Sequence, residues 1–152
     1  MHLKTILIVE DNADDAELTM RAIRKNGVSG EIVLARDGVE ALDYLFGQGD
    51  YAGRDLQRMP AVILLDLKMP RLDGFGVLEG LRADKRTRLL PVVILSSSRE
   101  DRDLVQSYGL GANSYIVKPV DFGQFLETVG HLGLYWLTLN EPAPVLQVGS
   151  SE

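Results

Sequence analysis

AVILLDLKMP, residues 61–70, is an apolar run that ends abruptly in an aspartate and passes through a lysine to Met-Pro. A run apolar at every position, not at every second one, is covered on both faces, as a central strand of a parallel sheet is. The expected strand is Ala61 to Leu65, with Asp66 at its carboxyl end. Working outward, similar short runs occur at Thr5 to Val9, Glu31 to Ala35, Val92 to Leu95 and Ser114 to Val117. Longer stretches of helical period separate them, and this alternation is that of parallel strands joined by crossover helices. Ala16, Met20 and Ile23 share one helical face, and that helix is expected to stop at Asn26-Gly27. Asp37, Asp73 and Asp121 are placed to cap helices running through Leu45 and Phe46, through Leu78 and Leu81, and through Phe125, Leu126 and Val129.

With 152 residues, 45% of them hydrophobic, the chain can bury one sizeable core but is short for two. The segment from Gly47 to Pro60 lacks a clear period and reads as a long surface loop. Beyond Leu139 the sequence NEPAPVLQVGSSE carries little to pack. The expected organisation is one domain over residues 1–139 with a mobile tail over 140–152. A net charge of −6 repels a phosphodiester backbone, so direct nucleic-acid binding is not expected. The lack of cysteine excludes disulfides and thiolate metal sites, and cytoplasmic residence is the default. Glu10 and Asp11 cut off the apolar run Ile6 to Val9, far short of the roughly 20 residues of a membrane span.

In an open parallel sheet, ligands bind outside the carboxyl ends of the strands. Those ends carry Glu10-Asp11, Asp66, Ser96-Ser97 and Lys118-Pro119. Carboxylates gathered in a partly dehydrated pocket need a cation or raised pKa values. Oxygen-only ligands with open positions favour Mg²⁺, whereas zinc would prefer His or Cys. Lys118 offers a compact charge suited to a phosphoryl oxygen, and Ser96 adds a hydroxyl donor. Asp66, central in the sheet, is the natural nucleophile for a phosphoryl group, with Glu10 and Asp11 to one side as metal ligands.

VEDN around Asp11, LLDLKMP around Asp66, ILSSS around Ser96 and SYIVKP around Lys118 together resemble the CheY-like receiver domains of two-component response regulators. The resemblance spans Lys4 to about Leu132 with all motifs in order. It implies a flavodoxin-like, doubly wound, five-stranded parallel sheet of order 2-1-3-4-5 with five helices in a three-layer sandwich. It also implies an aspartyl phosphate at Asp66. Mg²⁺ would be held by Asp11, Asp66 and the Lys68 carbonyl, with Glu10 acting through water. Ser96 would be the switch hydroxyl, Lys118 the phosphate grip, Tyr115 the aromatic whose rotamer reports the state, and the Lys118–Pro119 bond cis. Glu10 stands where many receivers have Asp, and Ser96 where many have Thr. The long loop at Gly47 to Pro60 and the ending LGLYWLTLNEP look like single-domain regulators that partner bacterial phytochrome kinases.

Each residue also has a plainer role. Asp66 alone would read as a helix cap or turn residue, and Lys118 alone as an exposed strand-end lysine. Ser97 and Ser98 read as loop hydroxyls capping the next helix, with Ser98 also placed to tune water access. Tyr115 suits a packed core tyrosine, its hydroxyl in water, as well as a moving switch. The basic run from Arg82 to Arg88 is broken by Asp84 and reads as a solvated turn. His2 and His131 are isolated, so neither suggests catalysis.

Competing functions fare worse. A flavodoxin-like cofactor protein needs a first loop that cradles phosphate, and here that loop, residues 10–15, reads EDNADD. An aspartyl-nucleophile phosphatase resembles a pattern with a second acid two positions on, where Lys68 stands. The third alternative is a receiver-like interaction module that works without phosphorylation, and the presence of Glu10, Asp11, Asp66, Ser96 and Lys118 together argues against it. The expected protein takes its phosphoryl group from a sensor histidine kinase, a bacteriophytochrome by resemblance. It catalyses its own transfer and slow hydrolysis, and signals by binding a downstream protein, with no turnover on a separate substrate. Leu132, Leu134, Tyr135, Trp136, Leu137 and Leu139 are too apolar for a simple tail. They either close the core or form a patch for a homodimer, which is the expected state.

Overall fold

The computed structural model describes residues 4–25 and 29–144. Asn26-Gly27, His2 and the tail from residue 145 onward lie outside the described residues. The strands are β1 (Thr5–Val9), β2 (Glu31–Ala35), β3 (Val62–Leu65), β4 (Val92–Ser96) and β5 (Ser114–Val117). The helices are α1 (Ala13–Lys25), α2 (Gly38–Phe46), α3 (Gly74–Ala83), α4 (Asp101–Gly109) and α5 (Phe122–Leu134). All strand pairs are parallel, in the order β2-β1-β3-β4-β5. This is the order the resemblance implies. β3 begins one residue later than expected, and β4 runs one residue further, which places Ser96 within the strand.

The sheet carries a core on each face, as the unbroken apolar runs of β1, β3 and β4 require. On one face Leu7, Val9, Ile63, Leu65 and Ile94 pack with Leu45, Leu78 and Leu81 of α2 and α3. On the other, Ile6, Ile8, Leu64 and Val93 meet Ile23 of α1 and Phe125 and Val129 of α5. Alternate side chains of one strand point to opposite faces, so each strand feeds both layers.

The expected aspartate caps form. Asp37 accepts from the Glu40 amide, Asp73 from Gly76 and Asp121 from Gln124. The loop after α2 is more ordered than its composition suggested. It contains a 3-10 turn at Gly49–Tyr51, and Arg54 lies over the Tyr44 ring with Nε donating to the Tyr44 carbonyl at 2.6 Å. The basic run Arg82 to Arg88, which begins in the last turn of α3, is likewise no simple solvated turn. Arg82 donates to the carbonyls of Arg88, Leu90 and Gly111, while Arg86 pairs with Asp84. Burial pulls the Arg82 guanidinium below its ordinary pKa.

Past α5 the helix widens into a π-helical turn, Tyr135–Leu139. Leu137 is buried in the second core, and Leu132 and Trp136 pack against it. Leu134, Tyr135 and Leu139 remain exposed. The apolar stretch therefore closes the core with one set of side chains and presents another to solvent. Pro142, Ala143 and Pro144 then line a cavity of about 120 Å³ with Lys4, Pro60 and Leu90 at the amino-terminal edge of the sheet.

Candidate functional site

The strand register brings the candidate residues together. Val9 pairs with Leu65, so Glu10 and Asp66 leave adjacent strands at the same level. The Asp66 amide donates to the Val9 carbonyl at 3.1 Å. Ser96 pairs with Val117, and the Lys118 amide donates to the Ser96 carbonyl at 2.7 Å. Glu10, Asp11, Asp66, Ser96 and Lys118 thus stand on one rim of the sheet because their strands are in register.

Carboxylate oxygens of Glu10, Asp11 and Asp66 lie within 4.8 Å of one another. Glu10 is only 5% exposed. Burial pushes its carboxyl up to about 7, with Lys118 opposing and Asp66 adding to the rise. This is the electrostatic conflict foreseen from the sequence, and a cation would relieve it. The donor set is oxygen only, which fits a hard divalent ion and not zinc.

Lys118 meets the acids from β5. Its Nζ donates to Glu10 Oε1 at 2.7 Å and to Asp15 Oδ2 at 2.9 Å, and stands 3.6 Å from Asp66 Oδ2. Burial pulls its ammonium pKa down, but the bonds to Asp15 and Glu10 outweigh burial and hold it above the ordinary value. Sequence reasoning gave Asp15 no role. The available signal was its place three residues after Asn12, whose side chain caps α1 by accepting from the Asp15 amide at 3.0 Å.

Ser96 and Tyr115 are linked through Ser98. The Ser98 amide donates to Ser96 Oγ at 3.1 Å, and the Tyr115 hydroxyl donates to the Ser98 carbonyl at 3.0 Å. The Tyr115 hydroxyl therefore has a protein partner where water was expected. Ser98 Oγ also accepts from the Glu100 amide at 3.3 Å, at the start of α4. One expectation fails outright. No cis peptide occurs among the described residues, so the Lys118–Pro119 bond is trans. Trans is the intrinsically favoured isomer, by about 0.5–1 kcal/mol for a bond preceding proline. In this form Lys118 already reaches Glu10 and Asp15.

The match to known proteins follows the same geometry. Residues 6–130 match the response regulator receiver domain model. The chain belongs to that family. A probable methanogenesis regulatory protein, FilR2, of Methanothrix harundinacea is 44% identical over 141 residues, covering 91% of this chain and 88% of its own. The crystal structure of the phosphorylated cyanobacterial phytochrome response regulator RcpA superposes with a TM-score of 0.86 at 37% identity, covering 93% of this receiver and 99% of that chain. The Mn²⁺-bound form of the response regulator Rcp1, a protein of Synechocystis, superposes at 0.85 with 31% identity, covering 92% and 99% respectively. Such receivers serve phosphorelay signal transduction as phosphoacceptors and bind a divalent ion at an acidic pocket. Among the described residues, no helix of this receiver is long and apolar enough to cross a membrane.

Proposed function

We propose that this receiver takes a phosphoryl group from a sensor histidine kinase onto Asp66, with Mg²⁺ held by Asp11, Asp66 and the Lys68 carbonyl, and by Glu10 through water. The observation that carries this is the convergence of Glu10, Asp11 and Asp66 oxygens within 4.8 Å, with the Lys118 ammonium 3.6 Å from Asp66. When bound, the divalent ion would neutralise charge on the phosphoryl oxygens. The Asp66 carboxylate oxygen forms the bond to phosphorus as the phosphorus–nitrogen bond of the donor phosphohistidine breaks, and the freed imidazole nitrogen takes up a proton. Lys118 supports the opposite side of the phosphoryl group, and Ser96 donates its hydroxyl to it. Positioning and charge neutralisation are the main demands of so loose a transition state. Slow hydrolysis of the aspartyl phosphate in the same site returns the receiver to rest.

Adding a dianion at Asp66 draws in Ser96, and the Ser98 contact passes that movement to Tyr115. The altered surface binds a downstream protein. The likeness to RcpA favours a phytochrome-type kinase as the donor, and the protein works in the cytoplasm. Residues 1–139 form the receiver and 140–152 an appended tail. The exposed Leu134, Tyr135 and Leu139 support a homodimer. A monomeric mass by light scattering at micromolar protein would refute that state.

The test of the acceptor is incubation with acetyl phosphate and Mg²⁺, then intact-mass spectrometry of the native chain and Asp66→Asn. A phosphoryl mass gain confined to the native chain is expected. A gain that persists in Asp66→Asn removes the assignment. Failure of the native chain to gain mass would favour the reading of a receiver-like module that binds partners without phosphorylation.

A further inference from the structure

Lys118 lies nearer to two other acids than to the proposed acceptor. Its Nζ is 2.7 Å from Glu10 and 2.9 Å from Asp15, against 3.6 Å from Asp66. We propose that Asp15 is a positioning residue that holds Lys118 back from the phosphoryl position, and so sets how readily this receiver accepts phosphate. The proposal rests on Asp66 being the acceptor.

Asp15 is well fixed for this task. Its amide donates to the side chain of the capping Asn12, and the hydroxyl of the buried Thr19 donates to its carbonyl at 2.7 Å. The first turn of α1 thus anchors its backbone, and the side chain reaches across to β5. Asp15 is not among the clustered acids Glu10, Asp11 and Asp66. A divalent ion held in that cluster would compete with Lys118 for Glu10, whereas Asp15 would remain as the ammonium's anionic partner. An ammonium has three donors and a short reach. One donor remains for a phosphoryl oxygen, but Lys118 Nζ sits 2.9 Å from Asp15 Oδ2 and 3.6 Å from Asp66 Oδ2, so moving up to that oxygen stretches its bond to Asp15. That exchange opposes the charge stabilisation the transfer needs, because part of the lysine's attraction to the phosphoryl group is offset by what it gives up.

Removing the Asp15 charge should therefore favour the phosphorylated geometry. The scale is that of a partly exposed ion pair, about two- to fivefold. The probes are beryllofluoride, a non-covalent phosphoryl analogue, and acetyl phosphate, both with Mg²⁺. With acetyl phosphate the Asp66 oxygen bonds to phosphorus as the bond from phosphorus to the acetyl oxygen breaks and acetate leaves. Asp15→Asn and Asp15→Ser should each bind beryllofluoride about two- to fivefold more tightly and gain phosphate faster by a similar factor. Mg²⁺ affinity, read by titration calorimetry without either probe, should stay within about twofold, since Asp15 stands outside the cluster. In a Lys118→Ala background the Asp15 substitutions should have no effect on beryllofluoride binding. A purely structural role for Asp15 would not vanish with Lys118.

Unchanged or weaker beryllofluoride binding in both Asp15 variants would overturn the proposal, as would an equal gain in the Lys118→Ala background. A large loss of Mg²⁺ affinity would make Asp15 part of the metal's surroundings and also overturn it. If the wild-type chain neither gains phosphate nor binds beryllofluoride, the acceptor assignment falls and this inference with it. If the wild type does both and the Asp15 variants match it, only the role of Asp15 falls.

Discussion

Gly74 shows how tightly the proposed acceptor, Asp66, is backed. A methyl group on its Cα would stand 2.4 Å from the Asp66 carbonyl oxygen and 2.9 Å from the Leu67 Cα, both of them backbone atoms that cannot swing aside. Gly74→Ala should destabilise the protein by about 1–3 kcal/mol in urea unfolding, the usual scale of overpacking. Because the displaced atoms belong to Asp66 and its neighbour, phosphate uptake should fall more than stability alone explains. A variant with unaltered unfolding and uptake would show that α3 can shift freely. The need for glycine here could not be read from the sequence, since it arises from how closely α3 begins against the end of β3. Asp66, Lys118 and the Glu10-Asp11 pair were legible, because each follows a short apolar strand and strand ends converge. The partnership of Asp15 with Lys118 was not, because it joins α1 to β5 across 103 residues.

Between elements, Asp37 does two jobs at once. It caps α2 through the Glu40 amide at 2.8 Å, and it receives a two-pronged contact from Arg71 at 2.8 and 3.1 Å. Arg71 adopts a left-handed backbone, φ 66°, in the loop that also carries Lys68. The cap was foreseen because an aspartate stood before an apolar helical run. The tie to Arg71 was not, because it depends on a backbone turn that sequence does not announce at a non-glycine residue. Asp37→Ala should lose about 1 kcal/mol, the usual value of a cap. Arg71 holds the Asp37 carboxyl below its ordinary 3.8. A depressed acid stabilises the fold above its unfolded pKa, and that contribution disappears as pH falls through the lower folded value. The stability gap between wild type and Asp37→Ala should therefore be full at neutral pH and close on acidification below about pH 4. A gap that widens in acid would contradict this sign.

At the level of the whole molecule, two cores share one sheet, so stability and the site are joined through β1, β3 and β4. Leu137 closes the second core from beyond α5 and is 5% exposed. Leu137→Ala should cost about 2–5 kcal/mol by thermal or denaturant unfolding, if the π-helical turn is as much a part of the core as its burial indicates. A cation bound at the acidic rim stabilises the folded chain by mass action. Saturating Mg²⁺, at about 100 times its Kd, should add about 2.7 kcal/mol to the wild type, and far less to Asp11→Ala. Equal gains in both would show that the ion binds elsewhere. The bonds of Arg82 also bear on how the chain tolerates being cut. Lys85, Arg86 and Arg88 offer trypsin cleavage points between Arg82 on one side and the Leu90 and Gly111 carbonyls it grips on the other. A chain nicked after Arg88 should therefore elute from a sizing column as one particle, and come apart into two fragments only in denaturant.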